Sequence, residues 1–296
     1  MNVIYVDDIS KKYVNENLCV CIGNFESLHI GHQALIKEVI KSPLKHAMIT
    51  FEPHPIKALI DPDYKPLLTI DDKIRLLEDQ LEYLIVIKFD IDFSQKTPDE
   101  FIKFLKLNNI LEVICGTDFR FGNRASGNID NLKKEFEIHA ISPILLDGVV
   151  VKTQSIRSNL FEGKVDKVIS KFGRPYSITG KVSHGSHLGK TIGFPTANIK
   201  KNNILLPKNG VYATKTQIDG KEYLSMTNIG HNPTFNHNND VIIETNIFDY
   251  DGDLYEKEIT ILFYSKIREE KKFASVDELK EELKKNQDFV KKNLNY

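Results

Sequence analysis

Short, almost wholly apolar runs recur through the first half of the chain and alternate with stretches of helical periodicity. Five of these runs lie at 18–23, 46–51, 84–89, 112–116 and 148–152. Strands this apolar are buried on both faces, as they are in a parallel sheet that helices cover. The first half is therefore predicted to form a βαβ-type parallel sheet.

Two capping signals mark where helices begin between these strands. Thr97 precedes a first-turn proline, Pro98, and Glu100 completes a capping box. Thr69 and Asp72 mark a second helix start in the same way. Helices are thus predicted to connect the strands, as a βαβ arrangement requires.

The pattern changes after a helical connector around 163–171 and a turn at 173–176. Strand-like segments then follow at close spacing, at 177–185, 210–218, 221–230, 241–250 and 253–264. Asp219-Gly220 and Asp251-Gly252 are typical of hairpin turns between such segments. Several short strands with no helix between them indicate an antiparallel sheet or a small barrel.

The length of 296 residues suits two domains better than one. From the change of pattern we predict a first domain at 1–160, a helical linker at 161–178 and a second domain at 179–296. A last helix is predicted to begin at Ser275, where Glu278 completes a capping box.

Charge and cysteine content narrow the class of protein. Forty basic and 41 acidic residues leave a net charge of −1, which argues against a surface that wraps nucleic acid or lies on a membrane. Cys19, Cys21 and Cys115 lie in or at the ends of apolar runs, without metal-binding spacing, so we expect buried, reduced thiols in a cytoplasmic protein. Residues 1–13 are too polar for a signal peptide or membrane anchor.

The first candidate site follows the first apolar run. His29 and His32 lie three residues apart between a predicted strand and a helix that begins near Gly31. The start of such a helix binds phosphate, because free N–H groups and the helix dipole point towards it. The two histidines could therefore contact the phosphates of ATP. A helix-capping or metal-binding role remains an alternative for this pair.

Two further polar loops are predicted at the same edge of the sheet. His54 follows the second apolar run between two prolines, and 116–128 follows the fourth run with Asp118, Arg120 and Arg124. Loops that follow parallel strands share one edge, so together they predict a pocket. The alternative is that they are polar only because they lie at the surface.

The second half contains a stretch that resembles a phosphate-binding P-loop but departs from it. Gly185 and Gly189 have three residues between them where the P-loop has four, and Pro195 prevents the helix that must follow. What remains is a glycine-bracketed loop that leads to Thr196 and Asn198, alternate residues that an extended chain points the same way. A hydroxyl and an amide oxygen suit Mg²⁺ and phosphate.

Glu244 is the candidate general base of this half. It lies in a strand that is otherwise apolar apart from the next two residues, where a carboxylate is costly without a task or a partner. An outward-facing glutamate on an alternating strand is the alternative. The acidic segment 249–256 suggests a calcium loop, but Leu254 and Thr260 occupy the positions that need Gly and Glu, so we interpret it as a turn. A constrained loop at 232–235 could contact a ligand or simply turn the chain. Arg268, between a strand and the last helix, is of a type that is usually a solvated charge.

In this order, the segments resemble the prokaryotic bifunctional riboflavin kinase/FMN adenylyltransferase family, also called FAD synthetases. The resemblance covers nearly the whole chain, through 23–33, 50–55, 116–122, 172–176, 180–199, 210–213, 228–235, 244–255 and 267–280. It implies a Rossmann-like nucleotidyltransferase domain, followed by a six-stranded antiparallel barrel that phosphorylates riboflavin from MgATP. We expect riboflavin, FMN and ATP as substrates, and a monomer or weak homo-oligomer.

The resemblance also implies roles for single residues. In the kinase half, Thr196 and Asn198 would bind Mg²⁺ and phosphate, Glu244 would accept the hydroxyl proton and Arg268 would lie near the flavin. Gly189 and Lys190 would contact ATP. The family usually has Arg at the position of Lys190. In the adenylyltransferase half, the matching ATP-binding residues are Gly23, Asn24, His29, Gly31, His32, His54, Thr153 and Arg157, and those on the flavin side are Asp118 and Phe119.

The chain departs from the family pattern at two places. Glu26-Ser27 stands where the family usually has Asp-Gly, and 152–157 replaces Ser-Ser-Thr-x-x-Arg while keeping Thr153 and Arg157. Glutamate lengthens the carboxylate arm, and serine matters if the loop needs a positive φ. We expect a bifunctional enzyme that retains adenylyl transfer at a rate these changes can lower. A kinase with a flavin-binding or structural first domain, and a non-catalytic flavin- or nucleotide-binding regulator, are the alternatives.

Overall fold

The computed structural model describes residues 1–183, 193–200, 203–231 and 241–294. They form two compact units, Met1–Thr153 and Gln154–Tyr296. Among the described residues no helix is both long and apolar enough to cross a membrane. All three cysteines are buried free thiols, as predicted.

The first unit consists of short strands joined by helices. Its strands are β1 (Asn2–Val6), β2 (Leu18–Ile22), β3 (Lys45–Glu52), β4 (Tyr83–Lys88), β5 (Ile110–Gly116), β6 (Arg120–Phe121), β7 (Gly127–Asn128), β8 (Glu137–Ile141), β9 (Leu145–Leu146) and β10 (Val149–Val150). Its helices are α1 (Ile30–Val39), α2 (Pro55–Leu59), α3 (Ile70–Leu77), α4 (Ile91–Ser94), α5 (Pro98–Leu107) and α6 (Ile129–Leu132), and α7 (Thr153–Phe161) continues into the second unit. The capping boxes of Thr69 with Asp72 and of Thr97 with Glu100 both form, as predicted.

Six parallel strands form the central sheet in the order β1-β4-β3-β2-β5-β8. From β2 the chain moves outwards through β3 to β4 and then returns to β5, on the other side of β2. In such sheets ligands bind outside the carboxyl ends of the strands where the strand order reverses. That position lies between β2 and β5.

Four of the five apolar runs lie in this sheet, and the prediction for 148–152 is wrong. Val149–Val150 pairs with Leu145–Leu146 in a separate two-stranded hairpin. Asp147 and Gly148 both have positive φ, 52° and 77°, which makes the tight turn of a hairpin. The sheet is completed instead by its edge strands, β1, which is short and apolar, and β8, in which polar and apolar residues alternate.

The second unit is a closed six-stranded antiparallel barrel, which confirms the predicted architecture. Its elements are α8 (Asp166–Phe172), β11 (Tyr176–Ser183), β12 (Ala197–Ile199), β13 (Gly210–Ile218), β14 (Lys221–His231), β15 (Val241–Ile247), β16 (Glu258–Arg268) and α9 (Val276–Leu294). The strands follow the order β11-β12-β15-β14-β13-β16 around the barrel. Helix α9 begins beside Ser275, as predicted, and its Val290 and Leu294 pack against the barrel.

One of the two predicted hairpin turns forms and the other does not. Asp219 and Gly220, with φ of 49° and 77°, join β13 to β14. The prediction for Asp251-Gly252 is wrong, because β15 pairs with β12 and β14 whereas β16 pairs with β11 and β13. Residues 248–257 therefore connect strands on opposite sides of the barrel.

Buried hydroxyl groups form a connected row between three strands of the barrel. Thr214 contacts Ser225 and Thr227 at 2.8 and 2.9 Å, and Thr227 donates to Thr245 at 3.0 Å. Each hydroxyl thus has a partner, as buried polar groups require. Because Thr245 points into the barrel, its neighbour Glu244 points to the opposite face of β15.

Asn108, at the end of α5, connects that helix to the segment that leads into β2. Its Oδ1 accepts hydrogen bonds from the backbone N–H groups of Tyr13 and Val14, at 2.6 and 3.2 Å, and its Nδ2 donates to the carbonyl of Phe104 at 3.0 Å. The side chain is only 1% exposed. Water cannot readily replace these bonds.

Substitution of Asn108→Ala should lower the free energy of unfolding of the first unit by about 2 kcal/mol, because two buried N–H groups lose their acceptor. Urea denaturation followed by circular dichroism measures this change. Asn15→Ala, at an exposed position, is the matched control and should change the value by less than about 0.5 kcal/mol. Equal stabilities of the two variants would contradict the role of Asn108.

Candidate active sites

The loop after β2 reverses direction twice before it enters α1. Gly23 donates its N–H to a carbonyl of β3 at 3.1 Å, and the left-handed turns fall on Phe25 and Leu28, with φ of 44° and 46°. Ser27 is not in the left-handed region. Serine at this position therefore introduces no backbone strain, although the family usually has glycine there.

His29 and His32 form a compact pair at the start of α1. His29 is the N-cap, and its Nδ1 accepts a hydrogen bond from the N–H of His32 at 3.2 Å. The two rings stack with centroids 3.7 Å apart and planes 6° from parallel. A Cβ atom on Gly31 would lie 3.0 Å from the His29 ring, so the close packing favours glycine at that position.

Burial keeps both histidines neutral at neutral pH. It lowers the pKa of His29 to about 4 and that of His32 well below its usual value, and the His29 and Lys73 charges lower the latter further. Neutral rings donate hydrogen bonds to phosphate oxygens without adding positive charge. The Nδ1 of His32 is buried and has no hydrogen-bond partner within the described ranges.

Glu26 connects the histidine loop to the loop after β3. Its Oε2 accepts a hydrogen bond from the Tyr64 hydroxyl at 2.9 Å and lies 3.6 Å from Nε2 of His54. The His54 ring also stacks on Tyr64, at 4.8 Å between centroids, and its Nδ1 accepts from the N–H of Ile56 at 3.2 Å. In the neutral ring the proton is therefore on Nε2, facing the carboxylate. The longer side chain of glutamate thus contacts both Tyr64 and His54 within the site.

The flavin-side candidates lie beyond the end of β5. Asp118 is exposed and approaches Gly116 closely, because a Cβ atom there would lie 2.9 Å from Oδ1. Phe119 is half-buried and stacks on Phe121 at 5.7 Å. Since β3, β2 and β5 are neighbouring parallel strands, His54, the histidine pair and Asp118 follow strand ends at one edge of the sheet, as predicted.

The replaced motif at 152–157 is divided between the two units. Thr153 Oγ1 lies 3.2 Å from Ser27 Oγ, so this retained hydroxyl contacts the residue that differs from the family. Arg157 lies on α7 in the second unit, where its guanidinium is 6.0 Å from the centre of the Phe161 ring. Lys152 is exposed.

In the barrel, strand register places Glu244 between two asparagines. Asn198 lies opposite Glu244 on β12, and Asn228 lies opposite it on β14. Directly paired residues share one face, with Cβ atoms roughly 5 Å apart. Burial raises the pKa of Glu244, which makes its carboxylate a better proton acceptor. Asn228 begins the 228–235 segment of the family resemblance, but the sequence pattern assigned it no role.

A cavity of about 460 Å³ includes Asn198 in its lining, but not Glu244 or Asn228. Thr196 and Asn198 line it together with residues of the 248–257 connection, among them Tyr250, Leu254 and Tyr255. Asn246 Nδ2 donates to the Pro195 carbonyl at 2.6 Å and so fixes the backbone just before Thr196. Asn246 was also missed, although a polar residue in an apolar strand was visible in the sequence.

Arg268 is largely buried rather than solvated. Its Nε lies 3.3 Å from a Glu282 carboxylate oxygen of α9, and its guanidinium lies 5.4 Å from the centre of the Phe273 ring. Gly189, Lys190 and the 232–235 loop lie outside the described residues. Within the described ranges, no three His, Cys, Asp or Glu side chains are grouped closely enough to hold a metal ion.

Comparisons with known proteins identify the family. A family model for FAD synthetase matches residues 11–160, and one for riboflavin kinase matches residues 172–294. A bifunctional riboflavin kinase/FMN adenylyltransferase from Buchnera aphidicola subsp. Schizaphis graminum is 36% identical, over 96% of this chain and 96% of its own. The chain belongs to the bifunctional riboflavin kinase/FMN adenylyltransferase family. A member from Bacillus subtilis is 35% identical, over 90% of this chain and 89% of its own.

The two-part fold also occurs in a solved structure. A crystal structure of a Streptococcus pneumoniae protein, described as a macrolide-efflux protein, superposes with a TM-score of 0.90 and 28% identity. The match covers 98% of each chain. Both units of this riboflavin kinase/FMN adenylyltransferase family member therefore have a counterpart in one experimentally determined chain.

His29 should titrate near pH 4, because burial disfavours its charged form. A pH titration of the ring ¹⁵N signals by NMR measures this pKa, with the His29→Gln variant assigning the signal. Free histidine in the same buffer is the reference. A midpoint near the ordinary histidine value would contradict the neutral, buried pair.

Proposed function

We propose that this chain phosphorylates riboflavin to FMN and then transfers AMP from ATP to FMN, giving FAD and pyrophosphate. The observation that carries the second activity is the set of contacts around Glu26 and Ser27. The two residues that differ from the family pattern contact Tyr64 and Thr153, and Ser27 needs no left-handed backbone. The departure from the family pattern at Glu26 and Ser27 is thus accommodated within a packed site. This favours the bifunctional enzyme over a kinase with an inactive first domain.

We assign adenylyl transfer to residues 1–160. A phosphate oxygen of FMN would attack the α-phosphorus of ATP as the bond to pyrophosphate breaks. His29 and His32, neutral and at a helix start, would donate hydrogen bonds to phosphate oxygens where negative charge accumulates. Asp118 and Phe119 would face the flavin, since their loop borders the crevice between β2 and β5.

We assign riboflavin phosphorylation to the domain predicted at 179–296 after a linker at 161–178, and β11 extends its barrel back to Tyr176. Glu244 would accept the proton of the ribityl hydroxyl while the hydroxyl oxygen attacks the γ-phosphorus of ATP and ADP leaves. The pKa of Glu244, which burial raises, suits this role as a general base. The neighbouring cavity, with two tyrosines and a leucine in its wall, has the room and surfaces that a nucleotide base requires.

The residues beside Glu244 fit a magnesium ion that accompanies ATP. Thr196 and Asn198 both line one cavity, and a hydroxyl and an amide oxygen are hard donors of the kind that Mg²⁺ prefers. When bound, Mg²⁺ would neutralise phosphate charge. Thr196 and Asn198 would hold it and orient the terminal phosphate.

The remaining assignments rest on the family resemblance. We assign ATP contacts in the first reaction site to Gly23, Asn24, Gly31, His54, Thr153 and Arg157, ATP contacts in the kinase to Gly189 and Lys190, and a flavin contact to Arg268. We propose a cytoplasmic enzyme that is a monomer or weak homo-oligomer. None of these assignments alters the two reactions.

A chromatographic time course of flavins tests both activities. The protein with ATP and Mg²⁺ should convert riboflavin to FMN and FAD, and added FMN to FAD. Glu244→Gln should lower FMN formation by about 10²- to 10⁴-fold, the usual contribution of a general base, while FAD still forms from added FMN. His29→Ala should instead lower FAD formation from added FMN, while FMN still forms from riboflavin.

Each outcome separates the candidate functions. FMN that accumulates with no FAD from either substrate would leave a kinase alone. No riboflavin-dependent ATP consumption would favour a binding protein without catalysis. Full riboflavin turnover by Glu244→Gln would contradict its role as the base.

Asn246→Ala should reduce kcat/KM for riboflavin phosphorylation by roughly tenfold to a hundredfold. The Pro195 carbonyl loses its 2.6 Å hydrogen bond, and a shift of about 1 Å in the adjoining Thr196 is costly for a positioned reaction. Steady-state kinetics with riboflavin measures the effect, with adenylyl transfer as the internal comparison. Asn293→Ala, at an exposed position of α9, is the matched control. Equal kcat/KM values for the two variants would contradict the role of Asn246.

A further inference from the structure

Lys73 is a buried lysine outside every motif of the two candidate sites. It lies on α3 and is only 4% exposed. Lysine is rarely buried to this extent unless its charge is paired or bonded. Its side chain therefore indicates a specific task within the first unit.

The ammonium group of Lys73 binds the base of the histidine loop. Nζ donates to the backbone carbonyl of Asn24 at 2.8 Å and to Oγ1 of Thr50 at 2.8 Å. The Thr50 hydroxyl in turn donates to the same Asn24 carbonyl at 3.0 Å. Three elements, the loop after β2, strand β3 and helix α3, thus meet at one carbonyl oxygen.

That carbonyl controls where the loop leaves the sheet. Asn24 directly precedes Phe25, the first left-handed residue of the loop, which leads to His29 and His32. A non-glycine residue in this region is held there by its surroundings. The bonds from Lys73 and Thr50 fix the backbone on one side of the turn, and so they help set the position of the histidines.

Titratable groups from three elements face Lys73. Glu26 in the histidine loop and Glu52 on β3 favour its charged form, whereas burial opposes it and brings its pKa down to about 8. On α1, the Lys73 charge contributes to the lowered pKa of His32. The ammonium group therefore acts on the histidine pair electrostatically as well as through the loop backbone.

We propose that Lys73 is a positioning residue for adenylyl transfer, whose charged side chain fixes the histidine loop through the Asn24 carbonyl. It acts through that loop and need not touch substrate. The inference rests on the proposed adenylyltransferase function of the first unit. A solely structural lysine would support folding without affecting the pH dependence of one reaction.

The test measures both reactions on the same full-length preparation. Lys73→Met keeps the length of the side chain and removes its charge and donors, whereas Lys73→Arg keeps a charge that does not titrate near pH 8. Lys103→Met, at an exposed position of α5, is the matched control. FAD formation from FMN and FMN formation from riboflavin are measured from pH 6.5 to 9.5, with thermal unfolding of each variant.

Lys73→Met should lower kcat for FAD formation by about tenfold or more, as expected for a misplaced loop, and leave riboflavin phosphorylation within about twofold of the parent. In the parent, FAD formation should fall as pH rises through about 8, where Lys73 loses its proton. This alkaline decline should be absent in Lys73→Arg and in the residual activity of Lys73→Met. Lys103→Met should behave like the parent.

Two results would overturn the proposal. One is a Lys73→Met protein that makes FAD at the parental rate, and the other is an alkaline decline that persists unchanged in Lys73→Arg. If Lys73→Met fails to fold, the pH dependence of FAD formation in the parent and in Lys73→Arg still tests the proposal. A parent protein that makes no FAD from FMN at any pH would instead contradict the proposed function itself.

Discussion

Parallel pairing of β2 with β3 on one side and β5 on the other is the constraint on which the first site depends. It brings three loops, distant in sequence, to one edge of the sheet. The reversal of strand order beside β2 then opens a crevice between the loops that follow β2 and β5. The histidine pair and Asp118 owe their common location to this topology, since their loops do not adjoin along the chain.

The barrel reaches a comparable result through strand alternation. Residues of β15 point in turn to the interior and to the outer face, so Thr245 joins the buried hydroxyl row while Glu244 lies beside Asn198 and Asn228. A register shift of one residue would exchange these faces. The satisfied hydroxyl row thus stabilises the register that puts the carboxylate on the reactive side.

The sequence predicted those features whose cause is local. Strands buried on both faces have continuous apolar runs, and helix starts carry their own capping residues, so β2 to β5 and α3 and α5 could be recognised. Edge strand β8 could not, because it is half-exposed and its residues alternate, whereas the apolar run Val3–Val6 of β1 was visible and was passed over. Val149 and Val150 were predicted to lie in the buried sheet because they are apolar, but they do not. The Asp147-Gly148 turn holds them in a separate hairpin, where Val149 is 68% exposed.

The residues of the candidate sites also divide into those with a local signal in the sequence and those without one. His29, His54 and Glu244 could be identified because their side chains carry chemistry in a recognisable setting. Tyr64, Lys73 and Asn246 could not, because each acts on a partner far away in the chain; Lys73 and Asn24 are 49 residues apart. In an amphipathic helix, moreover, a lysine ordinarily faces solvent.

Both units use a buried side-chain donor to fix a backbone carbonyl beside the reactive residues. Lys73 binds the carbonyl of Asn24 ahead of the histidines, and Asn246 binds the carbonyl of Pro195 ahead of Thr196. A loop conformation that moves the carbonyl away from its donor loses this hydrogen bond, so the conformation that keeps the bond is favoured. This explains how Glu26 and Ser27 can differ from the family pattern. The position of the loop depends on its carbonyl contacts and on Tyr64 and Thr153, and not on the two varied residues alone.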